Sequence, residues 1–246
     1  MKNIFKVSAV QMKVSSEKKD LAKILKYINQ ASKKKSEIIC FPECAFNPSY
    51  RKPSKEKELT PILQSAKRGS IFVVINGYFR IKGKIYNRTY LVSNKGKILG
   101  FYDKIYLWTP EVGKVSRGKD IKVINTSLGK IGLCTCWDLF FPSIFQRLKD
   151  KGAEIIFCPS YWVDEFKKET KFLSYIPTTI AYQYMVFFIY VNALFKGGTS
   201  ISQIASPWGE LATISFKEGM ITAKLYAQRI NRFKKHFKEV SFGRRM

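Results

Sequence analysis

Apolar and polar residues alternate over 4–11, as in a half-buried strand. Leu21, Ile24, Leu25, Ile28 and Ala31 then recur at helical spacing, with Asp20 placed as a cap. A short apolar run at 37–41 reads as a buried strand ending at Pro42-Glu43. Residues 58–67 read as a second helix, and 71–79, rich in Val and Ile, as another strand. The turn signals Lys82-Gly83-Lys84 and Asn94-Lys95-Gly96 predict hairpins that lead through 98–102 to Lys104. Residues 130–136 read as a strand, 143–151 as a helix closed by Gly152, and 153–158 as a strand ending at Pro159-Ser160. A helix is predicted over 167–184 and strands over 186–192 and 200–205. Pro207-Trp208-Gly209 makes a tight turn before two more strands, and 228–238 reads as a basic terminal helix.

Strand–helix units mixed with hairpin pairs predict an α/β fold, with mixed sheets in layers and helices outside. No internal repeat or long linker divides the chain, so residues 1–246 are expected to form a single domain, with 228–246 as a basic C-terminal helix or tail. At 246 residues and 46% apolar content the chain can bury a full core. Its longest apolar run, 185–191, has the length of a strand and falls far short of the ~18 residues a membrane helix needs. The N-terminus carries no signal-peptide pattern, so a cytoplasmic location and no membrane association are expected.

Charge widens the field by one class. The net charge is +26, and a non-catalytic nucleic-acid-binding protein would use such a charge. The lysines are scattered along the whole chain, however, and are not interleaved with aromatics on one platform. The charge therefore reads as a surface property, and nucleic acid is not expected as a partner. Five cysteines, an odd count on apolar strands, argue against a disulfide framework. Cys40-x3-Cys44 and Cys134-x-Cys136 do not have zinc spacing, and no metal or cofactor is expected. Cys40, Cys134 and Cys158 read as core fill. His236, the only histidine, lies in the basic terminal segment and reads as a surface residue, which disfavours mechanisms built on a histidine base.

Candidate chemistry sits in three short segments. Lys130-Ile131-Gly132-Leu133-Cys134-Thr135-Cys136-Trp137-Asp138 reads as a buried strand that stops at a thiol, an aromatic and an acid. A nucleophile at a strand end is held rigidly and can still meet a substrate. Phe41-Pro42-Glu43 and Tyr102-Asp103-Lys104 supply the carboxylate and the cation that such a thiol would use.

These segments resemble the three signature segments of the nitrilase (carbon–nitrogen hydrolase) superfamily, on its amidase-like side. Supporting segments fall in the same order: Tyr86-Asn87-Arg88-Thr89 through Gly100, Gly152 through Ser160, and Gly198 through Glu210. The resemblance runs from about residue 4 to residue 226 and implies a four-layer α-β-β-α sandwich with two mixed sheets, paired into a homodimer or higher homo-oligomer. It implies Glu43, Lys104 and Cys136 as a catalytic triad and Glu111 as a second glutamate that positions substrate and supports the lysine. The backbone N–H of Trp137 would be an oxyanion donor. The implied reaction cleaves a non-peptide C–N bond of a small amide through a cysteine thioester. The alternative within the fold is a true nitrilase.

Departures narrow the substrate. Tyr106 stands where the family commonly has histidine, and Phe140 and Ser143 where arginine and glutamate are common. Leu139 and Phe140 cannot grip a carboxylate as the cations of N-carbamoyl amino acid hydrolases do. Ile180, Gln183 and Tyr184 replace polar residues of the family helix, which bears on the dimer face. Trp108, Trp137, Tyr161 and Trp162 are expected to bind substrate in a narrow apolar pocket that takes a small neutral amide.

Overall fold

A computed structural model describes residues 2–14, 17–162, 170–194, 200–228 and 230. The chain forms two six-stranded sheets. The first contains β1 (Ile4–Gln11), β2 (Ile38–Cys40), β3 (Phe72–Ile81), β4 (Lys84–Val92), β5 (Ile98–Asp103) and β12 (Gly219–Tyr226), in the order β12-β1-β2-β3-β4-β5. The second contains β6 (Val123–Thr126), β7 (Gly129–Leu133), β8 (Ile155–Ser160), β9 (Phe187–Asn192), β10 (Ile201–Ser206) and β11 (Gly209–Ser215), in the order β11-β10-β9-β8-β7-β6. Each sheet has a parallel centre, β1-β2-β3 or β7-β8-β9, flanked by antiparallel strands.

Period-2 alternation builds the layers. Ile38, Cys40, Phe72 and Val74 face a core shared with Leu133, Phe157 and Ile189 of the second sheet. Their neighbours Ile39, Phe41, Val73 and Ile75 face α1 (Glu17–Lys33) and α2 (Thr60–Arg68), meeting Ile24, Ile28 and Ile62. On the far side α3 (Pro142–Asp150) and α4 (Thr170–Tyr184) pack on the second sheet through Phe145, Leu148 and Ala181. The result is the expected α-β-β-α sandwich.

The structure corrects four details of the sequence reading. Helix α1 begins at Glu17, so Asp20 lies inside it and is not its cap; apolar spacing cannot detect a polar first turn of good helix formers such as Lys18 and Lys19. Strand β7 ends at Leu133, not at Cys136. Strand β8 runs through Pro159 to Ser160; β7 has already left it at the Leu133–Phe157 pair, so the missing proline N–H breaks no ladder on that side. Strand β6 was not foreseen. His236 and the basic tail from 231 onward fall outside the described residues. No helix among the described residues is long and apolar enough to cross a membrane.

The loop after β5 is locked by a close approach. The Gly118 N–H donates to Lys104 O at 2.9 Å, and an added Cβ at Gly118 would stand 2.0 Å from Asp103 O. Gly118→Ala is expected to cost about 1–3 kcal/mol, measured by urea denaturation; a loss below about 0.5 kcal/mol would show that the loop yields freely.

Candidate active site

The site lies where strands of both sheets end, at the kind of carboxyl-end crevice that α/β folds use for ligands. Strand β2 continues through Phe41-Pro42 to Glu43, whose N–H donates to Ser160 O at the end of β8 at 3.2 Å. That bond ties the two sheets together at the site. Strand β5 ends at Asp103, and the Lys104 N–H donates to Asn87 O at 2.9 Å. After β7 the chain swings into a tight helical turn, Cys136–Phe140. Cys136 opens it at φ +47°, a left-handed conformation that costs a non-glycine residue about 1–3 kcal/mol.

Asp138 fixes that turn. Its carboxylate accepts from Thr135 N at 2.9 Å, Tyr106 N at 2.9 Å and the Tyr102 hydroxyl at 2.7 Å. Burial pushes the Asp138 carboxyl up to about 6 against the pull of those donors. The first i→i−3 bond of the turn runs from Asp138 N to Thr135 O. The N–H groups of Cys136 and Trp137 precede it, so the turn itself does not use them.

Glu43, Lys104, Glu111 and Cys136, named from the sequence, converge here, and all are buried. Lys104 Nζ lies 2.8 Å from Glu43 Oε1 and 2.9 Å from Glu111 Oε2. Burial alone would lower the lysine's pKa, but the carboxylates of Glu43 and Glu111 hold it well above its usual value. For Glu111, burial opposes ionisation; Lys104, Asn87 and the Trp108 N–H outweigh it and hold the carboxyl below its usual value. Cys136 lines the same cavity as Glu43, and its thiol feels the Glu43 charge. Burial, then the Glu43 charge, raises that thiol well above its ordinary value against the pull of Lys104, so it rests protonated. Tyr161 N–H donates to Glu43 Oε2 at 2.9 Å.

Four residues of this site carried no assignment in the sequence reading. Asn87 Nδ2 donates to Glu43 Oε1 and to Glu111 Oε1, both at 2.7 Å. Asn76 fixes its orientation by donating to Asn87 Oδ1 at 2.8 Å. Tyr78 donates its hydroxyl to Glu111 Oε1 at 2.8 Å. The strand register carried the signal, since Tyr78 pairs with Asn87 across β3 and β4. Cys44, beside Glu43, lines the same cavity.

That cavity, of about 100 Å³, is walled by Trp108, Tyr161 and Trp162, and also by Tyr50 and Tyr78. Trp137 backs the wall without lining it, because its ring stacks on Trp162 at 5.5 Å and 18°. Phe140 packs on Trp137 and Trp162. Tyr106 stacks on Phe141, and its backbone N–H serves Asp138. Lys104 is the only cation among the described lining residues, and its two acid partners engage it. Cys40, Cys134 and Cys158 are fully buried in the core between the sheets. No group of three or more His, Cys, Asp or Glu residues suited to a metal occurs among the described residues.

The family model for carbon–nitrogen hydrolases matches residues 6–235. The chain belongs to the carbon–nitrogen hydrolase family and is an enzyme of the nitrilase superfamily. Omega-amidase NIT2-B of Xenopus laevis is 28% identical over 252 aligned residues, covering 91% of this chain and 89% of the relative. Nitrilase homolog 2 of Dictyostelium discoideum is 27% identical over 177 residues; the match covers 63% of this chain and only 54% of that protein, about half its length. Among solved structures, Nit3 of Saccharomyces cerevisiae, a member of branch 10 of the nitrilase superfamily, has a TM-score of 0.85 at 21% identity, over 99% of this chain and 96% of the other. A variant of the amidase from Nesterenkonia sp. AN1, with acrylamide joined by Michael addition to its active site cysteine, has a TM-score of 0.82 at 17% identity, over 95% and 99%. These two likenesses establish the fold.

The geometry makes Asn87 a positioning residue for both glutamates. Asn87→Ala should cost about 1–3 kcal/mol of stability, because buried acceptors lose their donor. It should lower kcat more than it raises KM. Equal kcat in variant and parent would show that Lys104, Tyr78 and the Trp108 and Tyr161 N–H groups set the two carboxylates without Asn87.

Proposed function

We propose that this enzyme hydrolyses the C–N bond of a small uncharged amide through a thioester on Cys136. The observation that carries the reading is the buried convergence of a thiol, a carboxylate and an ammonium, Cys136, Glu43 and Lys104, at the floor of one cavity. Cys136 Sγ attacks the amide carbon as its proton passes to Glu43. Lys104 Nζ and the Trp137 N–H stabilise the tetrahedral oxyanion. As the C–N bond breaks, the departing nitrogen takes the proton from Glu43 and leaves as ammonia or an amine. Water, deprotonated by Glu43, attacks the thioester; the carboxylic acid leaves and the thiol regains its proton. Glu111 holds Lys104 in place and orients the substrate.

Substrate choice follows from the walls. The lining is largely aromatic, and no uncommitted cation stands among the described lining residues to hold a substrate carboxylate. Leu139 and Phe140, just after the thiol, are apolar and packed inward. The whole chain, 1–246, is read as one catalytic unit acting without metal or cofactor.

The enzyme is read as a homodimer or higher homo-oligomer. Phe172 and Tyr175, 50% and 58% exposed, border an apolar groove between α3 and α4 floored by Phe145 and Ile176. Light scattering should give at least twice the 28.4 kDa chain mass, and Phe172→Lys/Tyr175→Lys should lower it. A parent that already runs at the mass of one chain would overturn the pairing.

The decisive measurement of function is ammonia release from a panel of amides, nitriles and carbamoyl compounds, with wild type and Cys136→Ala side by side. Release from small neutral amides, absent in the variant, is the expected result. Release from nitriles alone would make the enzyme a true nitrilase, and turnover of carboxylate-bearing compounds alone would overturn the neutral-substrate reading. No release from a folded wild-type protein would overturn hydrolysis itself.

A further inference from the structure

A second hollow, of about 400 Å³, lies on the outer face of the first sheet near its β5 edge. Residues Tyr86 and Arg88 of β4 and Phe101 and Asp103 of β5 form its floor. The tip of the β3–β4 hairpin makes one wall, and the loop at 117–122 makes the other. The same strand face is covered at Tyr90, Val92 and Ile98 by the packing of the helical layer. Beyond that cover the face stays open.

The floor is electrically closed. Arg88, 5% exposed, grips Asp103 with both arms: Nε to Oδ1 at 2.6 Å and Nη2 to Oδ2 at 2.8 Å. Its guanidinium caps the Phe101 ring at 3.7 Å, and Lys122 Nζ approaches that ring at 5.4 Å. The walls are electrically open. Lys82, Lys84, Arg117, Lys119 and Lys122 are exposed and make no ion pair with any described residue. Only Asp120 opposes them, five cations to one acid, against 44 to 18 in the whole chain. Like charges around one concave wall repel each other and focus a positive potential into it.

We propose that this hollow binds a small multivalent oxyanion carrying two or three phosphate groups. Several separated cations around one hollow suit an ion whose charge is spread over linked groups. Lysines supply point charges and Arg117 a planar fork, both of which phosphate oxygens accept. Cations already stand over both floor rings, Arg88 at 5.5 Å from the Tyr86 centroid and at 3.7 Å from that of Phe101, so recognition is by charge and not by stacking. Bound anion relieves the repulsion among the walls and stabilises the fold by linkage.

Calorimetric titration of the full chain with inorganic tripolyphosphate and with orthophosphate, at physiological salt, tests this. Arg117→Ala/Lys122→Ala removes exposed cations of the hollow; Lys26→Ala/Lys33→Ala removes exposed cations of α1 and serves as the charge control. The expected result is one tripolyphosphate per chain, bound more tightly than orthophosphate. Affinity should fall about tenfold, or ~1.4 kcal/mol, in the hollow variant and stay nearly unchanged in the control. Equal weakening in both variants, many ions per chain, or no binding would overturn the proposal, leaving only the diffuse attraction of a basic surface.

Discussion

A single ammonium between two carboxylates organises this protein. Lys104 is 2% exposed and bonds both Glu43 and Glu111. Such a group is a poor way to gain stability: desolvation costs several kcal/mol per ion, and an apolar replacement of equal volume is often neutral or better. Its retention makes sense through chemistry. Breaking one arm leaves an uncompensated buried charge at a cost of about 3–5 kcal/mol, so every element around it is held in register. The Gly118 bond to Lys104 O, the Asn87 bond to Lys104 N–H and the Ser160 bond to Glu43 N–H are those restraints.

Two rungs across the first sheet add to these restraints. Tyr78 faces Asn87 across β3 and β4, and Lys104, just past the end of β5, bonds Asn87 in turn; beside them run Asn76, Thr89 and Tyr102. The first rung serves the glutamates. The second passes from Asn76 through Thr89 to Thr135 and from Tyr102 to Asp138, reaching the turn that holds Cys136. A polar seam thus crosses an apolar interior from one sheet to the other, with nearly every donor and acceptor engaged. In low dielectric a satisfied network of this kind is rigid, and a half-satisfied one is costly. It lets a left-handed residue at Cys136 persist, since the turn around it is over-determined.

Much of this was legible in the chain. Alternation and turn signals located most strands. Glu43, Lys104 and Cys136 stood out as a carboxylate, a cation and a thiol where strands stop, and Glu111 only through the resemblance to the nitrilase superfamily. Asn87, Asn76 and Tyr78 did not stand out, because an asparagine or tyrosine on a strand looks like ordinary sheet surface until register pairs it with a buried acid. Asp138 was visible as a neighbour of the thiol, yet two of its three donors, Tyr102 and Tyr106, lie 36 and 32 residues away, and the third is Thr135 N–H, three residues before it. The end of β7 was misplaced for a related reason: Cys134-Thr135-Cys136 is apolar enough to extend a strand, and only the demands of the turn lift it off. Trp137 was drawn from the cavity by a stacking partner, Trp162, that lies far along the chain.

Charge balance then dictates how the proposed reaction must begin. Two carboxylates and one ammonium already leave the pocket one negative charge in excess. A resting thiolate would make that two among buried groups, and burial raises the thiol accordingly. Attack and proton transfer to Glu43 are therefore coupled, because only a transfer within the cluster keeps its total charge constant. The negative charge that Glu43 loses on taking the proton appears on the substrate oxygen, where Lys104 and the Trp137 N–H can meet it. The cluster is thus more complementary to the tetrahedral intermediate than to free thiolate or bound amide, and that difference is what lowers a barrier.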